Sequence, residues 1–284
     1  MVFLFDIFYH WWSIRYIGST SLSRVRLIIG LIYLSVAHFI VKGQFIPINA
    51  GSNHWFWLGL SGIIGLVLGD SALFQAFVLI GPQLSMLIMT LVPILSILLA
   101  KIFLAETITF MKMIGICLTI SGILIVVLKK FRTNKITKMQ FVIGILCGIG
   151  GAIGQSIGLI VAKKGLINNF PGLSATVIRV MTAALVIWLT TLRSGRAKIT
   201  IRKVLNRKTI LIIAIGAMCG PFLGIWMSMV AIKWTHIGVA STIMALPPVI
   251  LLPMSYWIFK EKITIQSVIG TKIAVFGTAI IFLR

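Results

Sequence analysis

The residues with the clearest chemical potential are polar side chains inside long apolar stretches: Asp70, Arg179, His38 and Gln75. A charged side chain in the middle of a membrane-length apolar segment costs about 3 kcal/mol on insertion scales, so it usually faces a cavity, pairs with an opposite charge or is protonated. Asp70 therefore has two interpretations. Either it binds a substrate amine or a proton, or it is the buried partner of Arg179, His38 or a hydroxyl.

The positions of neighbouring residues refine these interpretations. Gln75 follows Asp70 by five residues and lies off its helical face, whereas Phe74 and Phe77 share that face and could flank an apolar ligand. Arg179 lies six residues into its apolar stretch. From there it either extends to the membrane interface or meets Asp70.

Histidine and proline add further candidates. His38 is a potential pH-sensitive group, and the alternative is a histidine whose ring is satisfied by packing. Pro93, Pro247 and Pro248 also lie inside apolar stretches. Each removes a backbone donor and kinks its helix, so we predict that these three line a cavity and act as hinges.

No catalytic, metal or cofactor pattern is present in the sequence. The motifs GxxxxGK[ST] and HExxH are absent. An intramembrane aspartyl protease would need a second membrane aspartate close to Asp70, and the only other aspartate is Asp6. The three cysteines have no paired spacing and are typical of small buried apolar residues. We therefore predict no enzyme activity, no cofactor and no metal site.

The composition determines the class of protein that must position these residues. Of 284 residues 59% are hydrophobic and only 11% are charged, whereas soluble domains carry about a quarter charged residues. Mean hydropathy is +1.11. These values indicate an all-α polytopic membrane protein and exclude soluble enzymes, secreted disulfide scaffolds and disordered chains.

Hydrophobic runs long enough to cross a bilayer give the number of helices. A spanning helix needs about 20 mostly apolar residues. The sequence contains nine such segments: 24–42, 55–80, 82–104, 110–128, 141–162, 173–192, 209–232, 236–259 and 264–283. Residues 1–14 are apolar but too short, so they predict a truncated first span or an interfacial helix.

The charge distribution predicts the orientation. The net charge of +22 is spread over short loops, which argues against a nucleic-acid partner. Segments 15–26, 129–139, 193–208 and 260–263 hold 17 lysines and arginines, against six on the other side. We therefore expect loops 129–139 and 193–208 to be cytoplasmic and the C-terminus to be external, in the cell (inner) membrane.

An internal repeat relates the two halves of the chain. A shift of 155 residues aligns 65–128 with 220–283 without a gap and gives 16 identities, including Pro93/Pro248 and Glu106/Glu261. Arg26 and Arg179 correspond at a shift of 153. Five spans per repeat, counting the short first one, put the halves in opposite orientations, as in many secondary transporters. We interpret both glutamates as loop and cap residues.

Small residues recur every fourth position in three of the spans. Such ladders allow helix backbones to approach closely in lipid. Each ladder predicts a tightly packed face, which could also slide during a conformational change. The ladders are Ser61, Gly65 and Gly69; Gly150, Gly154 and Gly158; and Gly216, Gly220 and Gly224.

A doubled signature resembles the EamA-type transporters of the drug/metabolite transporter (DMT) superfamily. Its copies are LVPILSILLAKIFLAETITFMKMIGICLTISGILIVVL at 91–128 and LPPVILLPMSYWIFKEKITIQSVIGTKIAVFGTAIIFL at 246–283. Each contains a proline, a glutamate 13 residues later, and then two glycines seven apart. The resemblance implies a ten-span fold of two inverted five-helix repeats, here with nine full spans and a truncated first one. We place the repeats at 1–131 and 139–284.

The resemblance also implies a function. Family members move small metabolites, often outward, so we expect an exporter that works by alternating access on a substrate such as an amino acid or related amphiphile. By the same analogy, polar or amphipathic residues of the central spans line the path: Gln155, Ser156, Trp226, Ser228 and Thr242. The alternatives are a lipid or lipid-linked-sugar translocator and a degenerate, non-transporting copy. The substrate's identity, the coupling ion and the oligomeric state are not specified by the sequence.

Overall fold

The computed structural model describes residues 19–104, 109–133, 137–195, 197–204, 206–234 and 265–282. These residues are almost entirely helical, and the described ranges contain no strand. The helices are α1 (Ser19–Lys42), α2 (Ser52–Gly62), α3 (Asp70–Ile80), α4 (Pro82–Ile88), α5 (Leu91–Leu104), α6 (Phe110–Thr133), α7 (Lys138–Gly165), α8 (Gly172–Arg193), α9 (Ala197–Val204), α10 (Arg207–Ala217), α11 (Ile225–Trp234) and α12 (Ile265–Phe282). Two π-helical segments complete them, the first at Ile63–Gly69 and the second at Met218–Gly224.

The helices include enough long apolar segments for a polytopic membrane protein. Six are long and apolar enough to cross a membrane, namely Ser21–Lys42, Ser52–Ile80, Pro82–Phe103, Lys138–Gly165, Gly172–Arg193 and Thr209–Trp234. Two shorter apolar helices, Met113–Lys129 and Val268–Ile280, correspond to the predicted spans 110–128 and 264–283. Many large apolar side chains are exposed on the outer faces of these helices, as lipid contact requires. The all-α membrane class is confirmed, while segments 1–14 and 236–259 lie outside the described residues.

The internal repeat of the sequence is also present in the structure, as two equivalent π-helical segments. Shifting Ile63–Gly69 by 155 residues gives Met218–Gly224, so both seven-residue segments occupy the same place in their repeats. A π-helical turn adds a residue to the helix and often marks a functional site. Pro221 favours the irregularity in the second segment because it has no N–H to donate to an α-helical bond. Hydropathy alone had predicted continuous α-helices here.

The first two glycine ladders face each other, as their spacing predicts. A Cβ atom added to Gly154 would lie only 2.8 Å from Gly69 Cα, and one added to Gly158 only 2.9 Å from Gly65 Cα, so a side chain at either position would clash. Ser61 Oγ donates to the carbonyl of Gly158 over 2.8 Å. The backbone of α2 and the first π segment is therefore in direct contact with α7, which places the start of α3 close to the middle of α7.

The glycines of the doubled signature join α6 to α12. A Cβ on Gly270 would lie 2.8 Å from the oxygen of Gly122, and one on Gly277 would lie 2.7 Å from the oxygen of Gly115. Gly115 corresponds to Gly270 and Gly122 to Gly277, so this contact has the symmetry of the repeat. The signature glycines thus join the last helices of the two repeats to each other.

Pro93 produces the predicted distortion. The span 82–104 is divided into α4 and α5 by a turn at Met89 and Thr90. Pro93 cannot donate to the carbonyl four residues earlier, that of Met89, and this oxygen instead accepts from Val92 N over 3.0 Å. The kink is confirmed, and its use as a hinge stays a prediction. Pro247 and Pro248 lie outside the described residues.

Candidate functional site

Asp70 lies at the centre of a buried polar cluster formed by three helices. Its Oδ2 accepts from Arg26 Nη2 of α1 over 2.7 Å, and its Oδ1 accepts from Gln155 Nε2 of α7 over 2.5 Å. Asp70 is only 6% exposed. The carboxylate thus joins α1 to α7 through the first residue of α3, directly after the first π segment.

The partner of Asp70 corrects the interpretation made from the sequence. Arg179, His38 and hydroxyl groups were the expected partners, whereas the structure pairs Asp70 with Arg26. The charge count assigned Arg26 to the basic segment 15–26, but α1 already begins at Ser19 and buries Arg26 between helices. The guanidinium also lies over the ring of Phe74, with Cζ 4.9 Å from its centroid. The one available signal was the correspondence of Arg26 with Arg179 in the repeat.

The structure contradicts the prediction that Arg179 extends to the interface. Its charge interacts with that of Asp70 through space, without a hydrogen bond or close ion pair between the two side chains. Its side chain is 1% exposed, because it points inward from α8 towards α11 and the first π segment. Nη1 donates to the sulfur of Met229 over 3.0 Å. A Cβ on Gly65 would lie 3.2 Å from Nη2, so the absence of a side chain there makes room for the guanidinium. Nε has no hydrogen-bond partner in the described part of the chain.

The surroundings of the two arginines are related by the repeat. Arg26 contacts Phe74, and Arg179 contacts Met229, which is the residue 155 positions after Phe74. The equivalence ends at the counter-ion, since the residue 155 positions after Asp70 is an isoleucine. Asp70 is also the only acidic residue in the described ranges. The cluster therefore holds two buried arginines in equivalent positions, one of which has a carboxylate.

Most of the remaining candidates have partners elsewhere in the bundle. The ring of His38 contacts Ser174 Oγ through Nε2 over 2.9 Å and the carbonyl of Gln44 through Nδ1. Ser156 donates to backbone oxygens of α5 and of its own helix, and Ser228 donates to one of its own helix. These contacts give each group a structural role in helix packing.

The two candidates Gln75 and Trp226 differ in exposure. Gln75 is exposed on α3, because five residues place it about 140° from Asp70 around the helix. Its assignment to a cavity stays a prediction. Trp226 is partly buried and packs against Phe222, with 5.6 Å between the ring centroids. Thr242 lies outside the described residues.

Comparison with protein families agrees with the doubled signature. The profile of the EamA-like transporter family matches twice, at residues 7–128 and 142–283, which together cover most of the chain. The chain belongs to the EamA-like transporter family. This protein is therefore a multi-pass membrane transporter of the DMT type, and EamA-like proteins are transporters, not enzymes.

Comparison with solved structures supports the same fold. A structure described only as "Crystal structure of protein" has a TM-score of 0.71 and 17% identity, and the match covers 99% of this chain and 93% of the other. At that identity the likeness concerns the fold alone. A comparison with curated proteins gives no match.

Proposed function

We propose that this EamA-like protein exports a small metabolite across the cell membrane by alternating access. The observation that carries the proposal is the buried cluster of Arg26, Asp70, Gln155 and Arg179. Charged groups inside a membrane protein are costly and usually mark a substrate or ion path. Transporters built from inverted repeats commonly place that path between the repeats, near the middle of the bilayer.

The depth of the charged residues supports this location. Arg26 lies seven residues after the start of α1, and Arg179 lies seven residues after the start of α8. In an inverted arrangement these two starts lie on opposite faces, so each arginine is about 10 Å from its own face at 1.5 Å per residue. A hydrocarbon core about 30 Å thick then separates them by roughly 10 Å along the normal. Asp70 belongs between them.

Apolar packing supports a path closed on one side in this conformation. Leu22, Phe77, Met86, Val204 and Ile213 belong to one buried cluster beneath Arg26, at the end of the bundle that carries the basic loop 193–208. Val204 comes from α9, a short helix inside that loop. With the loop cytoplasmic, this cluster and the Arg26–Asp70 pair together form the inner gate.

The same closure favours a small metabolite over a lipid. A lipid translocator needs a polar groove that opens sideways to the bilayer. Arg26, Asp70 and Arg179 are instead each buried, and the helices around them are in close contact at their glycines. A molecule small enough to be enclosed by the bundle fits this arrangement better than a headgroup with attached chains.

Metabolite release provides the test. Cells that express the wild type, the double variant Arg26→Gln/Asp70→Asn, or no transporter are compared by mass spectrometry of their medium. We expect at least one small metabolite to accumulate outside wild-type cells and to fall to the level without transporter in cells with the double variant. Unchanged medium, together with phospholipid movement in vesicles of the purified protein, would overturn the proposal in favour of the lipid translocator.

A further inference from the structure

The unequal surroundings of the two equivalent arginines point to a ligand. Arg26 has its counter-ion in Asp70, over 2.7 Å. Arg179 occupies the equivalent place in the second repeat, but an isoleucine, Ile225, replaces the aspartate there. In the described structure its side chain donates a hydrogen bond to a thioether sulfur, which is a weak acceptor. Asp70 attracts Arg179 through space but does not hydrogen-bond to it, so this buried guanidinium has no oxyanion as a hydrogen-bond partner in the described ranges.

The unoccupied part of the guanidinium has the geometry of a carboxylate site. Nε and Nη2 lie on one edge of the group, and two parallel N–H bonds on such an edge match the two oxygens of a carboxylate. Nε has no partner in the described ranges. Nη2 lies beside Gly65, where a Cβ would come within 3.2 Å of it and within 3.7 Å of Gln155 Oε1. Because this position is a glycine, no side chain of residue 65 crowds the Nε–Nη2 edge.

We infer that Arg179 binds the carboxylate of the transported molecule through its Nε–Nη2 edge, an inference that rests on the proposed function. The ligand carboxylate supplies the negative charge that pairs with Arg179 in the second repeat, as Asp70 does for Arg26 in the first. One ligand carboxylate is enough for this site, because the guanidinium of Arg26 already pairs with Asp70. Ile178 and Met229 belong to one apolar core cluster, so an apolar body attached to the carboxylate fits the surroundings.

Probes that share a phenyl group isolate the contribution of the carboxylate. The full chain is purified into lipid nanodiscs, and its thermal unfolding is followed during titration with 3-phenylpropanoate, 3-phenylpropanamide or phenyl phosphate. A ligand that binds only the folded state raises the unfolding temperature. We expect the carboxylate to raise it in the wild type, and the neutral amide to have a much smaller effect.

Two variants with a matched control locate the effect. Arg179→Gln should weaken carboxylate binding about 10- to 100-fold, the range expected for hydrogen bonds to a charged group. Gly65→Ala keeps the charge and fills the space before Nη2, and should weaken binding by roughly tenfold. Gly148→Ala is the control, because its Cβ would meet Ile88 at a similar 3.1 Å and no atom of Arg179. It should bind like the wild type.

The outcomes separate this inference from the proposed function. Equal shifts with carboxylate and amide, a response to phenyl phosphate alone, or full carboxylate binding by Arg179→Gln and Gly65→Ala would each overturn the inference. Metabolite export that persists in that case leaves the transporter proposal intact. Carboxylate binding that requires Arg179 in a protein that releases no metabolite would support the site and overturn the proposed export.

Discussion

Replacing Asp70 by asparagine tests the central pair of the cluster. Asp70→Asn keeps the shape of the side chain and removes its charge, so Arg26 is left buried without its carboxylate. Two unit charges at the 2.7 Å separation of this pair attract each other by roughly 6 kcal/mol at an effective dielectric constant of about 20. Desolvation of both groups offsets much of that attraction. Removing one partner of a buried pair nevertheless costs about 3–5 kcal/mol, because the other charge stays buried.

A double-mutant cycle separates this pair from every other contact of Arg26. The free energy of unfolding is measured in mixed micelles for the wild type, Asp70→Asn, Arg26→Gln and the double variant. We expect each single change to lower it by about 3–5 kcal/mol, and the double change to cost much less than the sum, with a coupling energy of about 3 kcal/mol.

A second cycle provides the matched control for the first. Asp70→Asn combined with Arg179→Gln should show a smaller coupling energy than the Arg26 cycle, since Arg179 interacts with Asp70 only through space and donates no hydrogen bond to it. A coupling larger with Arg179 than with Arg26 would refute the assignment of the ion pair. Near-additive changes in both cycles would show that Asp70 stabilises neither arginine.

Three further predictions concern packing, the kink and orientation. Gly154→Ala should lower the free energy of unfolding by about 1–3 kcal/mol, because its Cβ would lie 2.8 Å from a backbone atom of the facing helix; Gly150→Ala, with its nearest neighbour at 3.9 Å, should be close to neutral in the same measurement. Pro93→Ala restores a backbone donor and should slow metabolite release while protein yield stays near wild type; unchanged release would leave the kink a packing feature. Reporters fused after Lys203 and after Arg284 should be cytoplasmic and external respectively, and finding both on one side would contradict the inverted arrangement.

The sequence alone predicted the long apolar helices of the described regions and their relation by a repeat. This was possible because a chain in lipid must satisfy its backbone groups within each segment, so hydropathy and length are sufficient to predict a spanning helix. The glycine ladders were also predictable, since a face without side chains is useful only where another backbone approaches it. Asp70 could be singled out on the same principle, as a charge that needs a partner in lipid.

The identity of that partner required the tertiary structure. Hydropathy gives the depth of a residue only to within a turn or two, and it gives no information on the rotation of one helix against another. Arg26 was therefore counted with the basic loop residues, although the rotation of α1 directs it at Asp70. Arg179 was expected at the membrane interface for the same reason, although it is fully buried.

The π-helical segments also show what the sequence predicts and what only the tertiary structure decides. The repeat places Ile63–Gly69 and Met218–Gly224 in correspondence from sequence alone, but hydropathy treats both as ordinary α-helix. One inserted residue rotates everything that follows by about 100°, and Asp70 is the first residue after the first insertion. The sequence determined which groups are present and in which helix. The tertiary structure decided which of them meet, because a contact between helices depends on depth and rotation together.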